Sequence, residues 1–301
     1  MPQKKILVTG ANGQLGMEFR RLEARYKQYE FVFAGHSQLP VEEIDSVNDY
    51  VDALQPFACI NCAAYTAVDK AESEKEKAMT VNGEAVGYLA AACARNHTLF
   101  IQVSTDYVFD GNSSVPYKET DITNPVNHYG LTKLVGEQLA LRNNPASIII
   151  RTAWVYSEYG NNFVKTMMRL MRQRESLNVV DDQVGSPTYA ADLAKAIMQL
   201  IINIDAANKI PGDKTSQPAI FHYSNEGVIS WYEFAEAIRE LTKSKCKVNP
   251  IPTSQYPTPA KRPHFSLLDK SKIKTFLSLS IPGWRESLQK CIQRLQAEES
   301  L

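Results

Sequence analysis

The chain has 301 residues, 44% apolar and 22% charged, with 33 basic side chains matched by 33 acidic ones. That balance allows one or two globular domains with a large core, and the zero net charge gives no reason to expect a nucleic-acid or polyanion surface, although a locally basic ligand site fits within it. No run approaches the ~20 apolar residues of a membrane span, Ile6 to Val8 is too short for a secretory leader, and five sparse cysteines suit a reducing, cytoplasmic setting.

Taken in order, Lys4 to Thr9 reads as a short apolar strand, and Gln14 to about Lys27 as a helix with Leu15, Phe19 and Leu22 on one face. Glu30 to Ala34 is a second strand, Ser46 to Gln55 a short helix and Phe57 to Ala63 a third strand. That strand holds Cys59 and Cys62 in a C-x-x-C. With no second ligand pair and no thioredoxin-like helix start, they read as inert core thiols. Ala71 to Asn96 is helical with a break near Asn82-Gly83. Thr98 to Ser104 is a fourth strand, Asn127 to Arg142 a helix and Ser147 to Arg151 a fifth strand.

The second half is less regular. Phe163 to Arg174 and Ala190 to Ile202 read as helices, Ile220 to Tyr223 as a strand, and Ser230 to Leu241 as a helix with a serine N-cap. Ala206 to Gln217 reads as a surface insertion. Asn249 to Pro263, with five prolines, reads as an extended, ordered loop.

Apolar strands alternating with helices imply an α/β fold with a doubly wound parallel sheet of the Rossmann type. The expected strand order is 3-2-1-4-5, extended by later strands near residues 179 and 220. Residues 1–155, with 179–223 added, are expected to bind a dinucleotide. Residues 156–178 and 224–301 are expected to form a smaller substrate-holding lobe.

The first strand runs into Gly10-Ala11-Asn12-Gly13-Gln14-Leu15-Gly16, a G-x-x-G-x-x-G turn. Gly10 permits a tight turn with positive φ, Gly13 lets backbone approach a pyrophosphate, and Gly16 lets helix pack on strand. The helix N-terminus offers N–H groups and partial positive charge to the anion. After the second strand, Gly35-His36-Ser37-Gln38 has neither an acid to claim a ribose 2′-hydroxyl nor an arginine to demand a 2′-phosphate. The residues lean to NADPH and leave NADH open.

Tyr129 and Lys133 form Y-x-x-x-K, one helical turn apart on one face. An ammonium lowers a nearby phenol's pKa, and the tyrosine can then deliver a proton to a carbonyl oxygen as hydride reaches carbon. The fourth strand ends in Ser104-Thr105-Asp106, at the crevice where such sheets bind ligands, and Thr105 can hold the carbonyl. The plainer alternative makes Thr105 a cap and Tyr129–Lys133 a surface pair.

Gly10 to Gly16, Ser104 to Gly111 (STDYVFDG), Tyr129 to Lys133 and Arg151 to Tyr156 (RTAWVY) resemble the extended short-chain dehydrogenase/reductases. A narrower resemblance, to the dTDP-4-dehydrorhamnose reductases, rests on Asn61 to Glu74, Asn161 to Met167 (NNFVKTM), Asp182 to Thr188 (DQVGSPT), Ser230 to Ala235 (SWYEFA) and the RPxxSxLD pattern of Arg262, Pro263, Ser266 and Asp269. It implies reduction of the 4-keto group of dTDP-6-deoxy-L-lyxo-4-hexulose to dTDP-L-rhamnose.

Carried over by motif, Thr105, Tyr129 and Lys133 are the triad. Gly13, Gln14 and Leu15 meet the pyrophosphate, and Asp45 and Ser46 lie near the adenine, Asp45 being equally readable as a helix N-cap. Ala63, Ala64 and Tyr65 line the nicotinamide side, and Tyr129 and Lys133 also touch the cofactor. Asp106 and Trp154 contact the substrate, Trp154 being equally readable as core. Arg262 is the candidate for the diphosphate, against a plain surface arginine. Tyr65 stands where some relatives carry histidine. Ala190-Ala191-Asp192 offers a single acid where some relatives dimerise around magnesium, so no metal is expected and a homodimer stays open.

Two rivals share these features. A sugar-nucleotide 4,6-dehydratase needs T-D-E after the fourth strand, and this chain has Thr105-Asp106-Tyr107. A non-catalytic regulatory subunit resembling that of methionine adenosyltransferase needs no triad, whereas Thr105, Tyr129 and Lys133 are all present.

Overall fold

The computed structural model describes residues 3–207 and 219–299. Its first half runs β1 (Lys4–Thr9), α1 (Gln14–Leu22), β2 (Tyr29–Ala34), α2 (Ile44–Leu54), β3 (Ala58–Asn61), α3 (Lys75–Met79), α4 (Ala85–Arg95), β4 (Leu99–Thr105), α5 (His128–Asn143) and β5 (Ile148–Thr152). The second half adds β6 (Val155–Tyr156), α6 (Phe163–Gln173), β7 (Ser176–Val180), β8 (Val184–Gly185), β9 (Thr188–Tyr189) and α7 (Ala190–Ala207). It closes with β10 (Ala219–Tyr223), β11 (Ile229–Ser230), α8 (Trp231–Leu241), β12 (Lys247–Ile251), α9 (Ser271–Leu277) and α10 (Trp284–Glu299). Of the expected insertion, Ala206 and Ala207 end α7 and the rest lies outside the described residues.

The central sheet is parallel and ordered β2-β1-β3-β4-β5-β10. This corrects the expected 3-2-1-4-5, because β3 lies beside β1 instead of outside β2. The cause is the face on which each helix packs. α1 lies against α7, whereas α2 lies against α4. A right-handed crossover that changes face must also change direction, so α2 carries the chain back across β1. Within the strands, Ile6, Val8, Ile60, Ile101 and Ile150 pack under α1 and α7. Leu7, Cys59, Phe100 and Ile149 pack under α2 and α4 on the other face, as alternation demands.

The strand near 179 also departs from expectation. β7 pairs in parallel with β12, from Ser176↔Lys247 to Val180↔Ile251, and not with the central sheet. Pro250 therefore sits in a strand, so the proline-rich stretch is partly regular. Two-stranded pairing leaves β12 an edge free, where a missing N–H is tolerated. A second apolar core gathers Met167, Met168 and Met171 of α6, Phe234 and Ile238 of α8, and Leu288 and Ile292 of α10. α8 starts with a full capping box, the Ser230 hydroxyl accepting from Glu233 N while the Glu233 carboxylate accepts from Ser230 N.

Candidate active site

The direction of winding reverses between β1 and β3, so their C-terminal ends frame the crevice. Gly10 has φ +59°, and a Cβ there would lie 2.5 Å from Ala63 N. A Cβ on Gly16 would lie 2.6 Å from Gly10 O. The turn is thus pressed against the segment after β3, and both positions require glycine. Gly13 is the N-cap of α1. No side chain caps that terminus and no acid occupies its first turn, which leaves its N–H groups open to an anion at Gln14 and Leu15.

A polar ladder crosses the buried strand ends. Thr9 Oγ1 donates to Asn61 Oδ1 (2.5 Å), Asn61 Nδ2 to Gln102 Oε1 (2.7 Å), and Gln102 Nε2 to the carbonyl of Val103 (2.7 Å). Lys133 Nζ donates to the same carbonyl at 2.7 Å. Asn61 Oδ1 also accepts from Ala63 N (3.2 Å). Lys133 is therefore fixed, through β4 and β3, to the residue preceding the glycine turn.

Thr105 ends β4, and its hydroxyl donates to Asp106 Oδ1 (2.9 Å) while accepting from Tyr107 N (3.2 Å). It is thus a cap as well as a site hydroxyl. Tyr129 lies edge-on to Tyr107, ring centres 5.6 Å apart. Burial pushes the Tyr129 phenol up to about 12, the Asp106 charge adds to this, and the Thr105 hydroxyl partly offsets it. The expected lowering by Lys133 is not seen: burial sets the direction, and the one opposing influence is the Thr105 hydroxyl. Burial pushes Lys133 down to about 8 while Glu137 pulls it upward, so it is an ammonium at neutral pH. Asp106, 1% exposed, is pushed up to about 6 by burial, against the hydrogen bonds it accepts.

Several supports were not singled out from sequence. Glu137 accepts from Arg151 Nε (2.9 Å) and Nη2 (2.7 Å), and Ser104 Oγ donates to it at 2.5 Å. His222, next to Arg151, is pushed down to about 3 by burial and the adjacent guanidinium, and so is neutral. At the start of α5, Asn127 Oδ1 accepts from Gly130 N (2.8 Å) and Glu72 Oε1 from His128 N (2.8 Å), while Asn127 Nδ2 donates to Lys261 O (2.7 Å).

Asn82 sits in a π-turn, Thr80–Glu84, at the break expected in that helix. Its amide exchanges hydrogen bonds with both backbone groups of Tyr65 (2.9 Å each) and donates to Thr132 Oγ1 (3.1 Å). The half-buried segment of Ala63, Ala64 and Tyr65 is thereby tied to α5. The Asn82-Gly83 break was the one sequence signal for it.

A cavity of about 740 Å3 opens beside Tyr107, lined by Phe163, Met167 and Leu170 of α6, by Val179, by Trp231 and by Arg262. Trp154, at φ +48°, stacks on Trp231 with ring centres 3.6 Å apart. It is neither free nor plain core. Arg262 is no loose surface residue either. Its Nη1 and Nη2 donate to the Asp69 carboxylate (3.0 and 2.8 Å), and Nη1 also to Thr258 Oγ1 (2.5 Å). α2 is capped at Glu43, so Asp45 is an exposed first-turn residue and not the N-cap, and Ser46 Oγ donates to Glu43 Oε2 (2.9 Å). Asp192 accepts from Lys195, Asn225 and Ser287. The C-x-x-C thiols are free, Cys59 buried and Cys62 partly so, and burial pushes Cys62 up so that it stays uncharged beside Lys133.

The family model described as the RmlD substrate binding domain matches residues 4–297. The dTDP-4-dehydrorhamnose reductase of Aggregatibacter actinomycetemcomitans is 43% identical over 291 residues, 95% of this chain and 97% of its own. A crystal structure of that enzyme from Clostridium acetobutylicum superposes with a TM-score of 0.89 at 40% identity, covering 97% of this chain and 99% of its own. One from Bacillus anthracis, solved in complex with NADP, superposes with a TM-score of 0.90 at 36% identity, covering 97% and 100%. The likeness runs through the sheet and the second core alike, and the chain belongs to the dTDP-4-dehydrorhamnose reductase family.

Proposed function

We propose that this protein reduces the 4-keto group of dTDP-6-deoxy-L-lyxo-4-hexulose to give dTDP-L-rhamnose with NADPH. The observation that carries the reading is the placement of Tyr129, on α5, within hydrogen-bonding reach of the Thr105 hydroxyl at the end of β4, with Lys133 one turn further along α5 fixed to Val103 O. The uncapped N-terminus of α1 fits a pyrophosphate, with Gly10, Gly13, Gln14, Leu15 and Gly16 around it. NADPH, when bound, supplies the hydride.

Tyr129 holds the proton that the substrate oxygen takes as its carbon is reduced, and Thr105 holds that oxygen by a hydrogen bond. Lys133 keeps a positive charge behind Tyr129, which favours tyrosinate once the proton has left. Tyr107, half-buried beside Tyr129, occupies the place where a dehydratase needs a carboxylic acid. A phenol is a far weaker acid than a carboxyl group, and burial pushes this one up further. That favours plain carbonyl reduction.

We assign residues 156–178 and 224 onward to the lobe that holds the sugar nucleotide, with Arg262 and Trp154 at its edge. The dinucleotide-binding part is residues 1–155 with 190–223, which drops β7 from the span first expected. The reaction belongs in the cytoplasm, where five free thiols stay reduced. Among the described residues no helix is long and apolar enough to cross a membrane.

The test is NADPH oxidation with the keto sugar nucleotide and identification of the product. Turnover to dTDP-L-rhamnose supports the reading. Binding of both ligands without turnover replaces it by the non-catalytic alternative, and turnover to another sugar replaces the substrate.

A further inference from the structure

Asn162 stands at the junction between the glycine turn and α6. It is the N-cap of α6, its Oδ1 accepting from Lys165 N at 3.1 Å. Its Nδ2 donates to Gln14 Oε1 (3.0 Å) and to the carbonyls of Ser157 (2.7 Å) and Tyr159 (3.3 Å). Ser157 Oγ lies 3.3 Å from the same Gln14 oxygen, and Gln14 Nε2 reaches Val155 O at 3.5 Å. Gly160, at φ +62°, brings the loop so close that a Cβ there would stand 3.2 Å from Gln14 Cγ. One amide therefore fixes both the first turn of α6 and a side chain of the glycine turn. The next turns of α6 present Phe163, Met167 and Leu170 to the large cavity.

We infer that Asn162 is a positioning residue that couples the cofactor turn to the substrate cavity, so that each ligand favours binding of the other. The inference rests on the functional reading above. Gln14 Oε1 accepts from both Asn162 Nδ2 and Ser157 Oγ, so a ligand that fixes Gln14 also fixes the loop leading into α6, and a ligand in the cavity beside α6 fixes the same loop from its other end. Whichever binds first sets the loop that the second then meets. Linkage makes the effect reciprocal.

The experiment is a titration of NADPH into the full-length protein with and without saturating dTDP, repeated on Asn162→Ser. Serine keeps the cap but is too short to reach Gln14. In the wild type, dTDP should tighten NADPH by about fivefold or more. In Asn162→Ser, NADPH alone should bind within about twofold of wild type and the enhancement should fall to near one.

An enhancement that survives Asn162→Ser overturns the inference, and so does a wild type that binds both ligands independently. A wild type that binds neither overturns the functional reading instead. A merely structural role would lower the melting temperature and leave the enhancement intact. Should Asn162→Ser fail to fold, Ser157→Ala, which spares the cap and removes the second donor to Gln14, should show a partial loss of enhancement. Full retention there counts against the coupling.

Discussion

Lys133 Nζ is bonded to the carbonyl oxygen of Val103, a neutral acceptor two residues before Thr105. Its formal neighbour in charge, Glu137, is engaged by Arg151 and Ser104. The ammonium is thus oriented without being neutralised, and it remains available to a tyrosinate or a ribose hydroxyl.

This arrangement sets up a contrast between two variants. Tyr129→Phe removes the proton donor and keeps the ring against Tyr107, so turnover should fall by ~10²–10⁴-fold with near-normal NADPH affinity. Lys133→Met should lower both turnover and cofactor affinity. Rates measured where chemistry limits turnover, with NADPH titrations, separate the two. If Tyr129→Phe kept more than about half the wild-type rate, the proton would have to come from elsewhere.

Asp106 makes a prediction about stability and pH. Its folded pKa, about 6, lies above the ordinary 3.8 because burial disfavours the charge. Below about pH 4 the group is protonated in both states and contributes no difference. As pH rises from about 4 to about 6, the unfolded chain holds fewer protons than the folded one and stability is lost, about 3 kcal/mol in all, with no further change above that range. Asp106→Asn should therefore raise the urea midpoint near pH 7 and leave it unchanged near pH 3, while turnover falls. A midpoint difference that is flat with pH would show that the carboxylate is not desolvated as described.

For Arg262, which lines the cavity, the observed partner is Asp69. Arg262→Ala should raise the Michaelis constant for the sugar nucleotide and spare cofactor affinity. Arg262→Lys should recover little, because an ammonium cannot reproduce the two-pronged contact. Steady-state kinetics with each substrate varied in turn decides it, and an unchanged sugar-nucleotide constant in the alanine variant removes Arg262 from the site.

The Glu137–Arg151 pair, each side chain 3% exposed, should behave as a buried ion pair. Glu137→Ala strands the guanidinium and should cost ~3–5 kcal/mol in denaturant unfolding. Replacing both residues together, as Glu137→Leu with Arg151→Met, should recover much of that loss. A single variant that loses less than about 1 kcal/mol would mean that water reaches Arg151.

What the sequence made legible was local. The glycine turn, the Ser230 cap and the helix break at Asn82-Gly83 are each written in a few neighbouring residues, and all are found. Tyr129 and Lys133 share a helix face for the same reason. Strand order is different in kind. Whether α2 packs over one face or the other depends on partners in α4 that an amphipathic pattern cannot name. The Asp69–Arg262 pair joins residues 193 apart, and the Thr9–Asn61–Gln102 ladder crosses three strands. Asp45 is not the N-cap because α2 begins earlier than its polar residues suggested, at Ile44.

The free cysteines turn the molecule into its own opening gauge. Cys59 and Cys93 are sealed within the α2–α4 face of the sheet, and Cys291 within the second core. A thiol reagent can reach either group only when the element above it lifts, so two labelling clocks run side by side in one chain. Equal rates would report a single cooperative unit, and unequal rates would report which half breathes first and which ligand stills it.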